Sequence, residues 1–214
     1  MYKFPTGTNN LMLIKICGIK TKTAAVVSVK YGADFLGFNF VSSSKRKIIP
    51  IAAQKIIDSL PKSFRPITVG VFMDQSRRSI KKVLSQMKLD MLQFHGQESS
   101  KFCQSFGLPY IKAFGVGKQT SVAGLTKAMK KYKAKYFLLD RPTQGRGRTI
   151  DLGKVKQLAQ KFPIILAGGL TPENVHAMII KAGQIKGVDV AGGVETNGKK
   201  NIKKIRLFIK KTKI

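Results

Sequence analysis

Read from end to end, the 214 residues predict a single (β/α)₈ barrel with a parallel eight-stranded sheet. Three observations carry that reading. Short apolar runs recur along the chain, each followed by a helical pattern. The runs are apolar on both faces, as strands of a fully covered parallel sheet are. There are eight such units, and eight in about 200 residues close most naturally into a barrel. A doubly wound open sheet is the alternative, but the dinucleotide-binding glycine fingerprint that would accompany it is not found.

The strands are expected near 12–16, 34–40, 67–72, 90–94, 109–114, 135–139, 164–167 and 187–190. Between them lie helical stretches such as Thr21 to Tyr31, Pro50 to Leu60, Ser76 to Lys88 and Glu98 to Phe106. The domain is taken as 1–214, with residues 1–10 a short N-terminal extension. That extension lacks the apolar core of a secretory signal, and no run approaches the length of a membrane span, so a cytoplasmic protein is expected. Cys17 and Cys103 have no metal-ligand spacing, so neither a disulfide nor a zinc site is expected.

Charge is the extreme feature of the composition. Forty Lys and Arg face ten Asp and Glu, a formal net charge of +30. Such a field attracts anionic ligands and holds nucleic acid non-specifically through phosphate contacts. The basic residues are spread over the whole chain, however, with no basic arm or nucleic-acid-binding motif, so a specific nucleic-acid partner is not expected. A small anionic molecule is the expected partner, and the chain itself is expected as a monomer or a homodimer.

With so few acids, each can be placed. Asp34, Asp90 and Asp189 precede or enter strands. Asp151, Glu98 and Glu173 sit at expected helix starts, where negative charge complements the dipole, and Asp58 reads as helix surface. Asp74 and Asp140 lie where strands finish, and Glu195 lies in the turn after the last one. In a (β/α)₈ barrel the chemistry gathers at the C-terminal ends of the strands. Cys17, at the end of the first strand, and Asp140, at the end of the sixth, therefore point to one site. Asp74 is a rival acid that could equally cap the helix beginning at Ser76.

The last two strands run into glycine pairs: Gly168 and Gly169, then Gly192 and Gly193. Phosphate commonly binds at these two loops of the fold, and glycines let the backbone N–H groups approach it. Thr171 and Pro172 read as the N-cap and first turn of the following helix.

The motifs IKICGIK, ADFLGFNFVSSSKRKI, VGVFMD, LDMLQFHGQES, LLDRPTQGRGRTIDL, PIILAGGLTPENV and GVDVAGGVETNGKKNIKKIRLFI, in this order from about Leu13 to Ile209, resemble the phosphoribosylanthranilate isomerase family. The resemblance implies a (β/α)₈ barrel that isomerises N-(5'-phosphoribosyl)anthranilate to 1-(2-carboxyphenylamino)-1-deoxyribulose 5-phosphate without metal or organic cofactor. It implies Cys17 as general base and Asp140 as general acid. It further implies Arg46 as the holder of the anthranilate carboxylate, with Lys45 and Lys47 as neighbours able to contribute, and His95 as a substrate-binding residue; His176 reads as helix surface. Two departures stand out: Ala191, Gly192, Gly193 replace the usual Ser-Ser-Gly turn, and Gln144 to Arg148 is richer in arginine than its counterparts. Other phosphosugar barrels are the rival enzymes, but the lysine constellation of indole-glycerol-phosphate synthase and the metal ligands of a ribulose-phosphate epimerase are not apparent.

Overall fold

The computed structural model of the protein describes residues 12–61, 63, 66–141 and 150–213. The N-terminal extension, and the arginine-rich run from Gln144 to Arg148, lie outside the described residues. Eight strands alternate with eight helices: β1 (Leu13–Cys17), α1 (Lys22–Tyr31), β2 (Phe35–Asn39), α2 (Pro50–Asp58), β3 (Ile67–Phe72), α3 (Arg77–Gln86), β4 (Met91–Phe94), α4 (Ser100–Gln104), β5 (Tyr110–Gly115), α5 (Val122–Met129), β6 (Tyr136–Asp140), α6 (Leu152–Ala159), β7 (Ile164–Leu166), α7 (Val175–Ala182), β8 (Gly187–Val190) and α8 (Ile202–Thr212). All eight strands are parallel, and β8 pairs with β1 to close the barrel. The expected strands agree with these to within one residue at either end.

Alternation along each strand sorts side chains into two cores. Phe35, Ile67, Val69, Met91, Ile111, Ala113, Leu138, Ile165 and Ala167 pack together inside the barrel. Ile14, Ile16, Leu36, Phe38, Leu92, Leu139 and Val188 face the helices. The same alternation turns Lys15 and Cys17 inward with Leu13, and Asp140 inward with Leu138.

Polar side chains finish the elements. Thr21, Ser76, Ser99, Ser121, Asp151 and Asn201 each accept a backbone N–H in the first turn of the helix they begin, satisfying a donor that a helix start leaves free. Asp34 accepts from Ile14 N at 2.8 Å, and Asp90 from Thr68 N and Oγ1 at 2.8 and 2.7 Å. These carboxylates tie neighbouring strands together at the end of the barrel away from Cys17.

Three local expectations are corrected. α7 starts at Val175, not beside Thr171; Thr171 instead opens a turn in which Asn174 Oδ1 accepts its N–H at 2.8 Å. Asp74 does not cap α3, which Ser76 caps itself; its Oδ1 accepts from Gln97 N at 2.6 Å. Glu98 does not serve a helix dipole, because its side chain turns inward to Lys112 at 3.1 Å and accepts from Asp74 N and Gly96 N. A buried lysine attracts a carboxylate more strongly than a helix start open to water.

After β8, Gly192–Val194 forms one 3₁₀ turn, and a hairpin of β9 (Glu195–Thr196) and β10 (Lys199–Lys200) leads into α8. Among the described residues, no helix is long and apolar enough to cross a membrane.

Candidate active site

The sequence-predicted residues gather at one end of the barrel, where β1, β6, β7 and β8 terminate. A cavity of about 290 Å³ is lined by Arg46, Asp140, Arg141, Gly168, Gly169, Thr171, Asp189, Gly192 and Gly193, among others. Arg46 crosses this mouth from the loop after β2. Its side chain lies over Gly18, where an added Cβ would come within 2.6 Å of Cδ, and reaches Gly192, where a Cβ would lie 3.1 Å from Nη2. Arg46 thus spans from the residue beside Cys17 to the second glycine pair. Lys45 and Lys47 are exposed, and Arg46 is partly buried.

Arg46 is gripped by Glu195. Nε donates to Oε1 and Nη2 to Oε2, both at 2.7 Å. Lys200 Nζ also donates to Glu195 Oε1, at 2.9 Å, and to Ala191 O, at 2.8 Å. Burial pushes the Glu195 carboxyl up, but the bonds from Arg46 and Lys200 outweigh it and hold the group below the usual range. Burial lowers Lys200 in spite of the same carboxylate.

Asp140 ends β6 with its side chain about a quarter exposed. Burial raises its carboxyl above the ordinary aspartate value, although His95 and the N–H of Arg141, 2.7 Å from Oδ1, pull the other way. His95 Nε2 stands 3.6 Å from Asp140 Oδ2. Gln93 Nε2 lies 3.3 Å from His95 Nδ1; with the amide donating, Nδ1 accepts and the ring proton sits on Nε2, facing Asp140. Burial lowers His95, with Asp140 opposing, so the ring is neutral near pH 7 and the contact is not an ion pair.

Cys17 ends β1, buried, and pairs in register with Gly37. Two positions below Cys17 on the face it shares, Lys15 is fully buried and bonds Asp189 Oδ1 at 2.9 Å. Burial raises the thiol, Lys15 lowers it, and Asp189 and Lys200 make smaller opposed contributions. Cys103 is remote from this chemistry, buried within α4, its thiol pushed up to about 12 by burial. Both cysteines are free. His176 is exposed on α7.

The glycine pairs have distinct reasons to be glycine. Gly168 and Gly169 hold φ of +85° and +87°, which side chains disfavour. Gly193 packs so closely on Leu170 that an added Cβ would overlap its carbonyl oxygen. The two loops are therefore locked together, leaving Gly192 toward Arg46.

Lys15, Asp189, Glu195, Lys200 and Arg141 are charged members that the sequence alone did not assign to the site. A signal existed for the first two. Lys15 and Asp189 interrupt otherwise apolar strands with opposite charges, and barrel closure makes them register partners. Among the described residues, no group of three or more His, Cys, Asp or Glu is placed to hold a metal.

A closed parallel barrel with a carboxyl, a thiol and an arginine around its C-terminal mouth defines the class: a (β/α)₈-barrel enzyme, whose site lies where the strands end. Residues 14–211 match the family model described as N-(5'phosphoribosyl)anthranilate (PRA) isomerase, and the chain belongs to that family. It is 44% identical to the N-(5'-phosphoribosyl)anthranilate isomerase of Desulforudis audaxviator over 204 residues, covering 94% of this chain and 97% of the relative. It is also similar to the crystal structure of phosphoribosyl anthranilate isomerase from Thermotoga maritima, at 36% identity and a TM-score of 0.83, covering 94% of this chain and 98% of that one. A phosphoribosyl anthranilate isomerase solved in complex with reduced 1-(o-carboxyphenylamino)-1-deoxyribulose 5-phosphate aligns at 34% identity and a TM-score of 0.80, with the same coverage.

Proposed function

We infer that this protein is an isomerase of tryptophan biosynthesis, converting N-(5'-phosphoribosyl)anthranilate to 1-(2-carboxyphenylamino)-1-deoxyribulose 5-phosphate. The observation that carries the residue assignments is the continuity of the mouth: Arg46 joins the Cys17 end of β1 to the cavity that holds Asp140 and both glycine pairs. An elongated polyanion with a carboxylate at one end and a phosphate at the other suits such a trough.

Asp140 donates its proton to the furanose ring oxygen, the C1'–O bond breaks, and the nitrogen lone pair forms an iminium at C1'. The Cys17 thiolate removes the C2' proton, and the electron pair neutralises the iminium as an enolamine. Loss of the 2'-hydroxyl proton with protonation at C1' then gives the ketose. An acid must hold a proton to give it, and the raised carboxyl of Asp140 favours that form. Positioned transfers of this kind contribute roughly 10²- to 10⁴-fold each.

Arg46 offers a planar fork for the anthranilate carboxylate. Backbone N–H groups at Gly168, Gly169, Gly192 and Gly193 take the phosphate, which compensates for the hydroxyls that Ala191 and Gly192 do not supply. His95, neutral and donating from Nε2, serves the substrate beside Asp140. The partner is thus a small anionic phosphosugar, drawn by a strongly basic surface.

The test follows the loss of anthranilate fluorescence when freshly made phosphoribosylanthranilate meets purified protein. Turnover by the wild type, lost in folded Cys17→Ala and Asp140→Asn variants, supports the activity and the pair. Wild-type protein without turnover overturns the activity; an active variant overturns the role of the residue it lacks.

A further inference from the structure

The interior of the barrel contains a charge that the fold does not need. Lys15 is fully buried in the middle of β1, beneath the reactive end of the strand, with its ammonium 2.9 Å from Asp189 Oδ1. Buried ion pairs are commonly replaced by well-packed apolar side chains at no loss of stability, and the layer immediately below is apolar. The reason for an ammonium here is found one layer up.

Lys15 and Cys17 are two residues apart and point the same way. Both converge on the space above Gly37, the register partner of Cys17. A Cβ at Gly37 would stand 2.9 Å from Lys15 Nζ and 2.9 Å from Cys17 Sγ. The absence of a side chain at Gly37 is what lets ammonium and sulfur share one pocket, while Asp189 on β8 anchors the ammonium from the opposite side.

We propose that Lys15 is a positioning residue for the isomerisation, whose Asp189-anchored ammonium orients Cys17 Sγ and stabilises its thiolate. The proposal rests on the reading of Cys17 as the base. Four charged groups face the sulfur: Lys15 from β1, Asp189 from β8, Lys200 from β10 and Arg46 from the loop after β2. Arg46 and Lys200 are both bonded to Glu195, whereas the ammonium of Lys15, held by Asp189, shares the space above Gly37 with the sulfur. Burial opposes ionisation of the thiol, and Lys15 is the largest influence favouring it. Asp189 in turn offsets the burial of Lys15 and keeps it protonated.

The thiol can be titrated without turnover. The rate of iodoacetamide modification is measured across pH and followed on the peptide containing Cys17, so that Cys103 does not contribute. In Lys15→Met the midpoint is expected to move up by at least one pH unit. The rate near pH 7 then falls at least tenfold, and kcat falls in parallel with KM within about twofold. Lys15→Arg, which keeps the cation, is expected to restore much of both. Should Lys15→Met fail to fold, Lys15→Met with Asp189→Leu removes both charges together, and the midpoint is still expected to rise. An unchanged midpoint in a folded Lys15 variant overturns the proposal. A shifted midpoint together with full turnover by Cys17→Ala confines the effect to the thiol and overturns its catalytic consequence, along with the assignment of the base.

Discussion

Arg46 and Glu195 are locked fork to fork, Nε on Oε1 and Nη2 on Oε2, each at 2.7 Å. The guanidinium has five N–H donors, and this grip uses two. Three remain, two of them on the Nη1–Nη2 edge of a side chain whose direction is already fixed. Glu195 thereby sets the plane of the guanidinium, and with it, on the proposed role of Arg46, the direction from which a substrate carboxylate is received.

Removal of the guanidinium should act on binding more than on chemistry. Arg46→Ala is expected to raise KM roughly 10- to 100-fold, from the loss of charge-assisted bonds of about 1.5–3 kcal/mol, while kcat changes much less. Steady-state kinetics checks this, and an unchanged KM would remove Arg46 from the carboxylate site. Glu195→Gln is expected to raise KM by a smaller factor, because the guanidinium stays but loses its orientation.

Glu195 also makes a pH prediction. Its carboxyl is held below the ordinary range by Arg46 and Lys200 in spite of burial. A depressed acid contributes stability above its unfolded pKa, roughly 4.3, and loses it as pH falls through the lower folded value. Urea unfolding below about pH 4.3 should therefore show a shallower acid loss for Glu195→Gln than for the wild type, from a lower starting stability.

The acid and base pair predicts the shape of the activity profile. In the proposed mechanism Asp140 is protonated and Cys17 ionised, yet the carboxyl remains the stronger acid of the two, so the working form is a minority species. Activity rises with pH until Asp140 starts to ionise, stays level while the two fractions offset, and falls once Cys17 is ionised. Burial places the first bend above 3.8 and the second above 9.0, the ordinary values of the two groups. A kcat/KM profile that declines well below pH 9 would contradict this thiol environment.

Behind His95, the loop after β4 is pinned by Lys112. Its ammonium donates to Gly96 O at 2.6 Å and Phe94 O at 3.3 Å and pairs with Glu98, both side chains at most 3% exposed. Lys112→Met is expected to cost about 3–5 kcal/mol by leaving a buried carboxylate without its counter-charge. Lys112→Met with Glu98→Gln should cost less than the sum of the single changes. Denaturant unfolding of the three variants decides it.

At Gly168 a side chain would meet two obstacles. The backbone has φ +85°, and a Cβ would stand 2.6 Å from Arg141 N and 2.8 Å from Asp140 Oδ1. Gly168→Ala is expected to cost about 1–3 kcal/mol in strain and to lower kcat by displacing the acid, measured by thermal unfolding and turnover. A variant with normal kcat would show that Asp140 tolerates movement at this position.

The strands were legible because each is a short apolar run in a regular alternation with helical patterns, and burial on both faces leaves that signature. Cys17, Asp140 and the glycine pairs were legible because the fold sends strand ends to one place. Lys15 and Asp189 were visible as charges inside apolar strands, but their partnership depends on β8 returning to β1, which local pattern does not state. Glu98 was read as a helix-start group, and Asp74 as a rival acid or a helix cap, from their neighbours along the chain; distant partners, Lys112 and Gln97, claimed them instead.

By itself, the sequence determined the periodicity, the order of the eight units, the family and the residue types available for acid, base and anion recognition. Those are properties of neighbours along the chain, where alternation and turn chemistry act. Only the tertiary structure decided which charges meet. Arg46 and Glu195 stand 149 positions apart, and Lys15 and Asp189 stand 174 apart. Closing the barrel brings those pairs to 2.7 and 2.9 Å, the second of them buried, where Coulomb attraction is strong enough to hold them against the cost of desolvation.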